Sequence, residues 1–131
     1  MFLNSEADYA IRIVACLADT NRRLDANAIA EKTGVTQRYS LKILRKLSHS
    51  GIVKSFKGAH GGYILAKKAE EITLLEVIEV ICGTLNFSRC TADNGTCTHP
   101  NGFCYFKDAF DDVSRYMQST LGNVTFERKK G

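Results

Sequence analysis

The chain has 131 residues with a formal net charge of +4 and five cysteines. That length suits one domain with a modest core, or a small domain plus an oligomerisation arm. It excludes several classes: no apolar run reaches the ~18 residues of a membrane helix, and an odd cysteine count argues against a secreted disulfide framework. The opening residues, Met1 to Glu6, lack the basic start and apolar middle of a signal peptide, so the expected location is the cytoplasm, where thiols stay reduced. Charge is divided unevenly. Residues 1–69 hold 12 Lys/Arg against 5 Asp/Glu, and residues 70–131 hold 6 against 9. A basic half suits a polyanion partner, most often nucleic acid, although a merely solvated face has the same composition.

Ser5-Glu-Ala-Asp8 reads as a capping box that opens a first helix. Ala7, Ala10, Ile11, Val14, Leu17 and Ala18 follow at helical spacing, and Cys16 beside them is expected in the core. Asp25 caps a short second helix from Ala26 to Lys32, with Ile29 and Ala30 turned inward. Thr33-Gly-Val35 is a tight turn. Thr36 caps a third helix from Gln37 to Ser50 whose apolar face is Leu41, Leu44 and Leu47 with Ile43 at the edge. Its other face carries Gln37, Arg38, Lys42, Arg45, Lys46 and His49, and Gly51 supplies the stop. A short helix, a glycine-containing turn and a longer basic helix make a helix-turn-helix.

Two short strand-like runs, Ile52–Phe56 and Tyr63–Ala66, flank the glycine-rich tip Lys57–Gly62. A hairpin directly after the basic helix reads as a wing, with glycines that let backbone approach phosphate and Lys57 adding charge. Thr73-Leu-Leu-Glu76 is a second capping box, with Ile72 and Val77 spaced as a hydrophobic staple, and it opens a helix to about Ile81. Cys82, at the end of that apolar helix, is expected to be structural.

Cys90, Cys97 and Cys104 then stand at equal intervals, six residues between each pair, in a stretch of Gly, Asn, Asp, Thr and Pro that builds loops. Three thiols on one polar loop point to a shared metal. Soft thiolates favour zinc, copper(I) or an iron–sulfur cluster. Structural zinc sites hold ligands in tight pairs, absent here, whereas a cluster tolerates wider spacing but wants a fourth ligand from elsewhere. A last long helix is predicted from Tyr105 to about Leu121. Phe106, Phe110, Val113 and Met117 form a seam for packing on another helix, and Lys107, Asp108, Asp111, Asp112 and Arg115 form the outer face. A second copy of the chain is the expected partner, giving a homodimer. Residues 128–131 read as a frayed tail.

The run Gln37-Arg-Tyr-Ser-Leu-Lys-Ile-Leu-Arg-Lys-Leu47, followed by Gly51-Ile-Val-Lys-Ser55, Gly61-Gly-Tyr-Ile-Leu-Ala66 and Glu71-Ile-Thr-Leu-Leu-Glu-Val-Ile78, resembles the Rrf-type winged-helix transcription regulators, whose members include IscR-like and NsrR-like proteins. The resemblance covers nearly the whole chain. It implies a mainly α fold with a small β-hairpin: a winged helix-turn-helix DNA-binding domain with a connecting helix over residues 1–82, a cluster-binding loop over 83–104, and a dimerisation helix and tail over 105–131. It also implies a homodimer on a palindrome-like double-stranded DNA operator. Cys90, Cys97 and Cys104 match the cluster ligands of the family, for a 2Fe-2S or 4Fe-4S cluster that senses nitric oxide, redox state or iron supply. This chain departs from the family in spacing, since five residues between cysteines are commoner, and in the wing, where Arg-Gly-Pro-Gly-Gly-Gly-Tyr is usual. IscR-like members place a His three residues past the third cysteine, where this chain has Lys107. NsrR-like members offer an Asp near the start of the first helix, the place of Asp8. Asp8 is thus either part of the capping box or a ligand supplied by the partner subunit, with His99 and His60 as alternatives.

The expected DNA-contacting set is Thr36, Gln37, Arg38, Tyr39, Lys42 and Arg45 on the third helix, with Lys57, Gly58, His60 and Gly61 on the wing. Residues at the helix start reach base edges, while Arg45, Lys46, Lys54 and Lys57 neutralise phosphates. The rival expectation keeps the DNA-binding fold but has the cysteines sense thiol oxidation or bind zinc. An enzyme finds no support, because the sequence holds no HExxH, no Walker motif and no evident nucleophile–base pair.

Overall fold

The computed structural model describes residues 3–86 and 106–127. Local chemistry sets the ends of its elements. α1 (Ser5–Thr20) is capped by Asn4, whose side chain accepts from the Ala7 amide at 2.7 Å, and it stops at Asn21 in the left-handed conformation. The cap is therefore Asn4 and not Ser5. Either residue caps well, but only Asn4 has the extended backbone that points its oxygen back at the first turn. α2 (Ala26–Thr33) starts at Asp25, and α3 (Gln37–Ser50) starts at Thr36, whose hydroxyl accepts from the Tyr39 amide at 3.3 Å. Gly51, at φ 86°, ends α3 with its amide on Leu47 and Ser48.

β1 (Val53–Phe56) and β2 (Gly62–Leu65) form an antiparallel hairpin in which Val53 pairs with Leu65 and Phe56 with Gly62. Leu24, just ahead of α2, exchanges both backbone hydrogen bonds with Tyr63, at 3.0 and 2.7 Å, and so fastens the hairpin to the helical part. A single 3-10 turn (Ala69–Glu71) leads to α4 (Leu74–Cys82), capped by Thr73 as expected, with Ile72 and Val77 both wholly buried. α5 (Lys107–Gly122) packs on α4. The segment after α5 returns to the start of α4: Leu74 donates to the Val124 carbonyl at 2.8 Å and Phe126 to the Ile72 carbonyl at 3.1 Å.

α1 lies against α2, α3 and α4. Its Ala10, Ile13, Val14 and Leu17 meet Ile29, Ile43, Leu44, Leu47, Ile52, Val53 and Val77 in one core. Two phases differ from the sequence reading. On α3 the inward stripe is Ser40, Ile43, Leu44 and Leu47, and Leu41 is 43 % exposed. Leu41 sits one residue, about 100° of helix, off a stripe that the small, buried Ser40 completes. On α1 the inward position is Ile13, with Ile11 only partly covered.

Both described cysteines lie further out than expected. Cys16 is half-buried and Cys82 is exposed, because α4 turns Val77 and Ile78 to the core and leaves its C-terminal turn open. α5 also divides its seam. Ser114 is buried and Met117 and Leu121 face α4, while Phe106, Val113 and Tyr116 are 60, 39 and 74 % exposed. The seam is thus not one stripe packed inside a single chain.

Candidate nucleic-acid interface

α3 is rigid before it meets any ligand. Three of its residues are locked in the core, and both ends are capped. Its opposite side carries Gln37, Arg38, Tyr39, Lys42, Arg45 and His49, all exposed, and the helix contains no acidic residue. Every α3 residue expected to touch DNA is therefore at the surface, and Thr36 stands with them while capping. Arg38, Tyr39 and Lys42 line one open cleft. Tyr39 is held edge-on against Tyr9 of α1, with ring centroids 5.7 Å apart, and Arg12 lies over the Tyr9 ring at 5.8 Å. Such contacts narrow the rotamers open to the Tyr39 side chain.

Not all the positive charge on α3 stands free. Glu6 of α1 receives the Lys46 ammonium at 3.1 and 3.2 Å and lies 3.4 Å from that of Lys42. Burial pushes the Glu6 carboxyl up, but hydrogen bonds from Lys46 and Lys42, together with their charges, outweigh burial and hold it below the ordinary range.

The wing tip presents Lys57, Gly58 and His60 to solvent, with Gly61 partly covered. Gly61 donates to the Gly58 carbonyl at 2.9 Å, and a Cβ on Gly61 would fall 2.5 Å from the Phe56 carbonyl oxygen. The tip thus requires glycine there. Its posture is set by Arg23, which donates to the His60 carbonyl at 2.8 Å and stacks its guanidinium 3.7 Å from the centroid of Phe56. Lys54 approaches the same ring at 5.3 Å. The sequence reading passed over Arg23 and Glu6, because their partners lie 37 and 40 residues away and no local pattern marks either contact.

The cluster-ligand candidates divide. Cys90, Cys97, Cys104 and His99 lie outside the described residues. Asp8 sits in the first turn of α1, paired with Arg12 at 3.0 Å, both side chains half-exposed. Lys107 pairs with Asp111 at 2.8 Å. His60 is at the wing tip. Leu3 and Asn4, at the start of α1, share one mostly apolar cleft with Leu74, Ile78, Cys82, Leu85, Met117 and Leu121. The N-cap of α1 and the C-terminal end of α4 are therefore neighbours. Burial, the largest influence on Cys16, raises its thiol, which suits a packed residue and not a nucleophile.

Residues 3–128 match the family model Rrf2, described as an iron-dependent transcriptional regulator. The chain is 26% identical over 129 residues to the HTH-type transcriptional regulator IscR of Xenorhabdus nematophila, spanning 97% of this chain and 77% of that protein. The solved structure of T. potens IscR superposes with a TM-score of 0.75 at 25% identity, covering 96% of this chain and 83% of that one. CymR, the global cysteine regulator of B. subtilis, gives 0.78 at 21% identity over 96% and 93%, a likeness of fold alone. None of the described helices is long and apolar enough to cross a membrane.

Proposed function

Because the chain belongs to the Rrf2 family of transcriptional regulators, whose members bind DNA, we propose that it is an iron–sulfur-sensing repressor that acts as a homodimer on a palindrome-like operator. The observation that carries this is the triad Cys90, Cys97 and Cys104 at equal spacing in a chain whose family model is described as iron-dependent. Thiolates are the donors such a cluster takes. Cys90, Cys97 and Cys104 would hold it, and Asp8 of a second copy would complete the set. The surroundings fit. The Asp8–Arg12 pair is a half-exposed surface contact worth about 1 kcal/mol or less, so the carboxylate is easily released. Lys107, at the place of the IscR-type histidine, is an ammonium paired with Asp111 and has no lone pair to offer. Carboxylate oxygen is a poor match for a soft centre, which makes the fourth position labile. When bound, the cluster supplies iron with which nitric oxide or oxygen can react.

The chain's own residues do the rest. Two copies place their α3 helices in successive major grooves, about one helical turn apart. Arg38 pairs with guanine and Gln37 with adenine, each such contact worth ~1–3 kcal/mol of discrimination. Arg45 and Lys57 neutralise phosphates, and Gly58, His60 and Gly61 bring the wing backbone close to the strand. The exposed Val113 and Tyr116 on α5 meet their copies.

Anaerobically purified protein is expected to be brown, to contain iron and sulfide, and to lose its visible absorbance in Cys97→Ala. Its operator affinity in gel shifts is expected to differ between the intact and stripped forms. Colourless protein with stoichiometric zinc, or equal affinity in both forms, would favour a regulator that uses the same thiols without iron.

A further inference from the structure

We infer that Glu6 limits the sequence-independent affinity of the DNA-binding face: by engaging Lys42 and Lys46 from within the protein, it withholds two cations of the recognition helix from phosphate. This rests on the reading of α3 as the helix that contacts DNA.

The sequence of α3 contains four fixed cations, Arg38, Lys42, Arg45 and Lys46, and no acid. A helix so charged would bind any duplex strongly, because each phosphate neutralised releases a counterion whatever the base sequence. Glu6 changes that balance. Both of its carboxylate oxygens accept from Lys46, and one also lies within ion-pair distance of Lys42. The Glu6 side chain is only 19 % exposed, against 52 % for Asp8 two residues along, so its charge is less screened than that of an ordinary surface acid. Its backbone is fixed as well. Glu6 stands between the Asn4 cap and Ala7, which is wholly buried. The carboxylate therefore cannot follow the lysines outward. If Lys42 and Lys46 swing to phosphate, Glu6 is left partly buried and uncompensated. If they stay, two phosphate contacts are forgone. Either course weakens binding through the backbone while leaving Gln37 and Arg38 free to read bases.

The test uses the full-length protein and a fluorescently labelled duplex of arbitrary sequence, with anisotropy read from about 50 to 200 mM NaCl. Glu6→Gln is expected to bind about tenfold tighter at the low-salt end, and to steepen the slope of log K against log salt by about 1 to 2. Glu6→Ala, which removes the acceptor as well, gives the same gain, and thermal melts confirm that both variants fold. In a Lys42→Ala/Lys46→Ala background the gain disappears. An unchanged slope and affinity in both Glu6 variants overturns the inference, as does an equal gain in the double-lysine background, which would reduce the effect to net charge. Arg38→Ala/Arg45→Ala separates the two levels. Lost duplex affinity there, with no Glu6 effect, overturns the role of Glu6 alone, whereas unchanged affinity there overturns the assignment of α3 along with it.

Discussion

Between residues 5 and 65 each helix finds its own ends and its own partner: Asn4, Asp25 and Thr36 cap the starts, Asn21, Gly34 and Gly51 the stops, and Ile13, Ile29, Ile43, Leu44 and Leu47 are wholly buried together. The α4–α5 unit is closed on one side only. Val77 and Ile78 reach the core, but Cys82 is exposed, and α5 turns Phe106, Val113 and Tyr116 to solvent. The contrast shows how differently the two regions are closed: the winged part is buried around α1 with help from Ile72 and Val77, and the outer helices leave apolar area exposed among the described residues.

The largest test of that contrast is Leu44→Ala. Its side chain has no solvent exposure, and truncation is expected to cost about 2–5 kcal/mol in urea unfolding, with the whole winged part melting together. The same truncation at Val113 should move stability by about 0.5 kcal/mol or less in dilute, monomeric protein. A comparable loss at both positions would erase the distinction. Next in size is Val113→Asp. It should weaken self-association at least tenfold, about 1.4 kcal/mol, in sedimentation runs while circular dichroism shows the helices intact. A dimer unaffected by it would place the interface elsewhere. The smallest effect is at the caps. Thr36→Ala and Thr73→Ala should each cost about 1 kcal/mol, since one hydroxyl serves one orphan amide in either part. Hydrogen exchange would place the first loss in α3 and the second in α4.

What could be read from sequence was local. Asp25, Thr36, Gly51 and Thr73 act within four residues of themselves, and all four were correctly read as boundaries. The order of helices and the wing followed from them. Errors arose where two local solutions were close: Asn4 against Ser5 as cap, and Ile43 against Leu41 on a helix where Ser40 completes the inward stripe. Cys82 was misjudged because an apolar helix does not state which of its turns the core will cover. The exposure of the α3 residues expected to touch DNA was legible, because α3 is basic on one side only. Glu6 and Arg23 were not, since their contacts exist only once residues some forty positions apart have been brought together. The cysteine triad was visible as spacing, but Cys90, Cys97 and Cys104 lie outside the described residues.

The grip of Arg23 on the wing has one more consequence. The guanidinium holds the carbonyl of residue 60, not its imidazole. Every amino acid brings that same oxygen, so the tip can exchange its side chain and keep its pose. The aim of this corner is therefore independent of the side chain it carries: an anchor written into the loop before α2 fixes the hairpin, and the identity of residue 60 is left open to change.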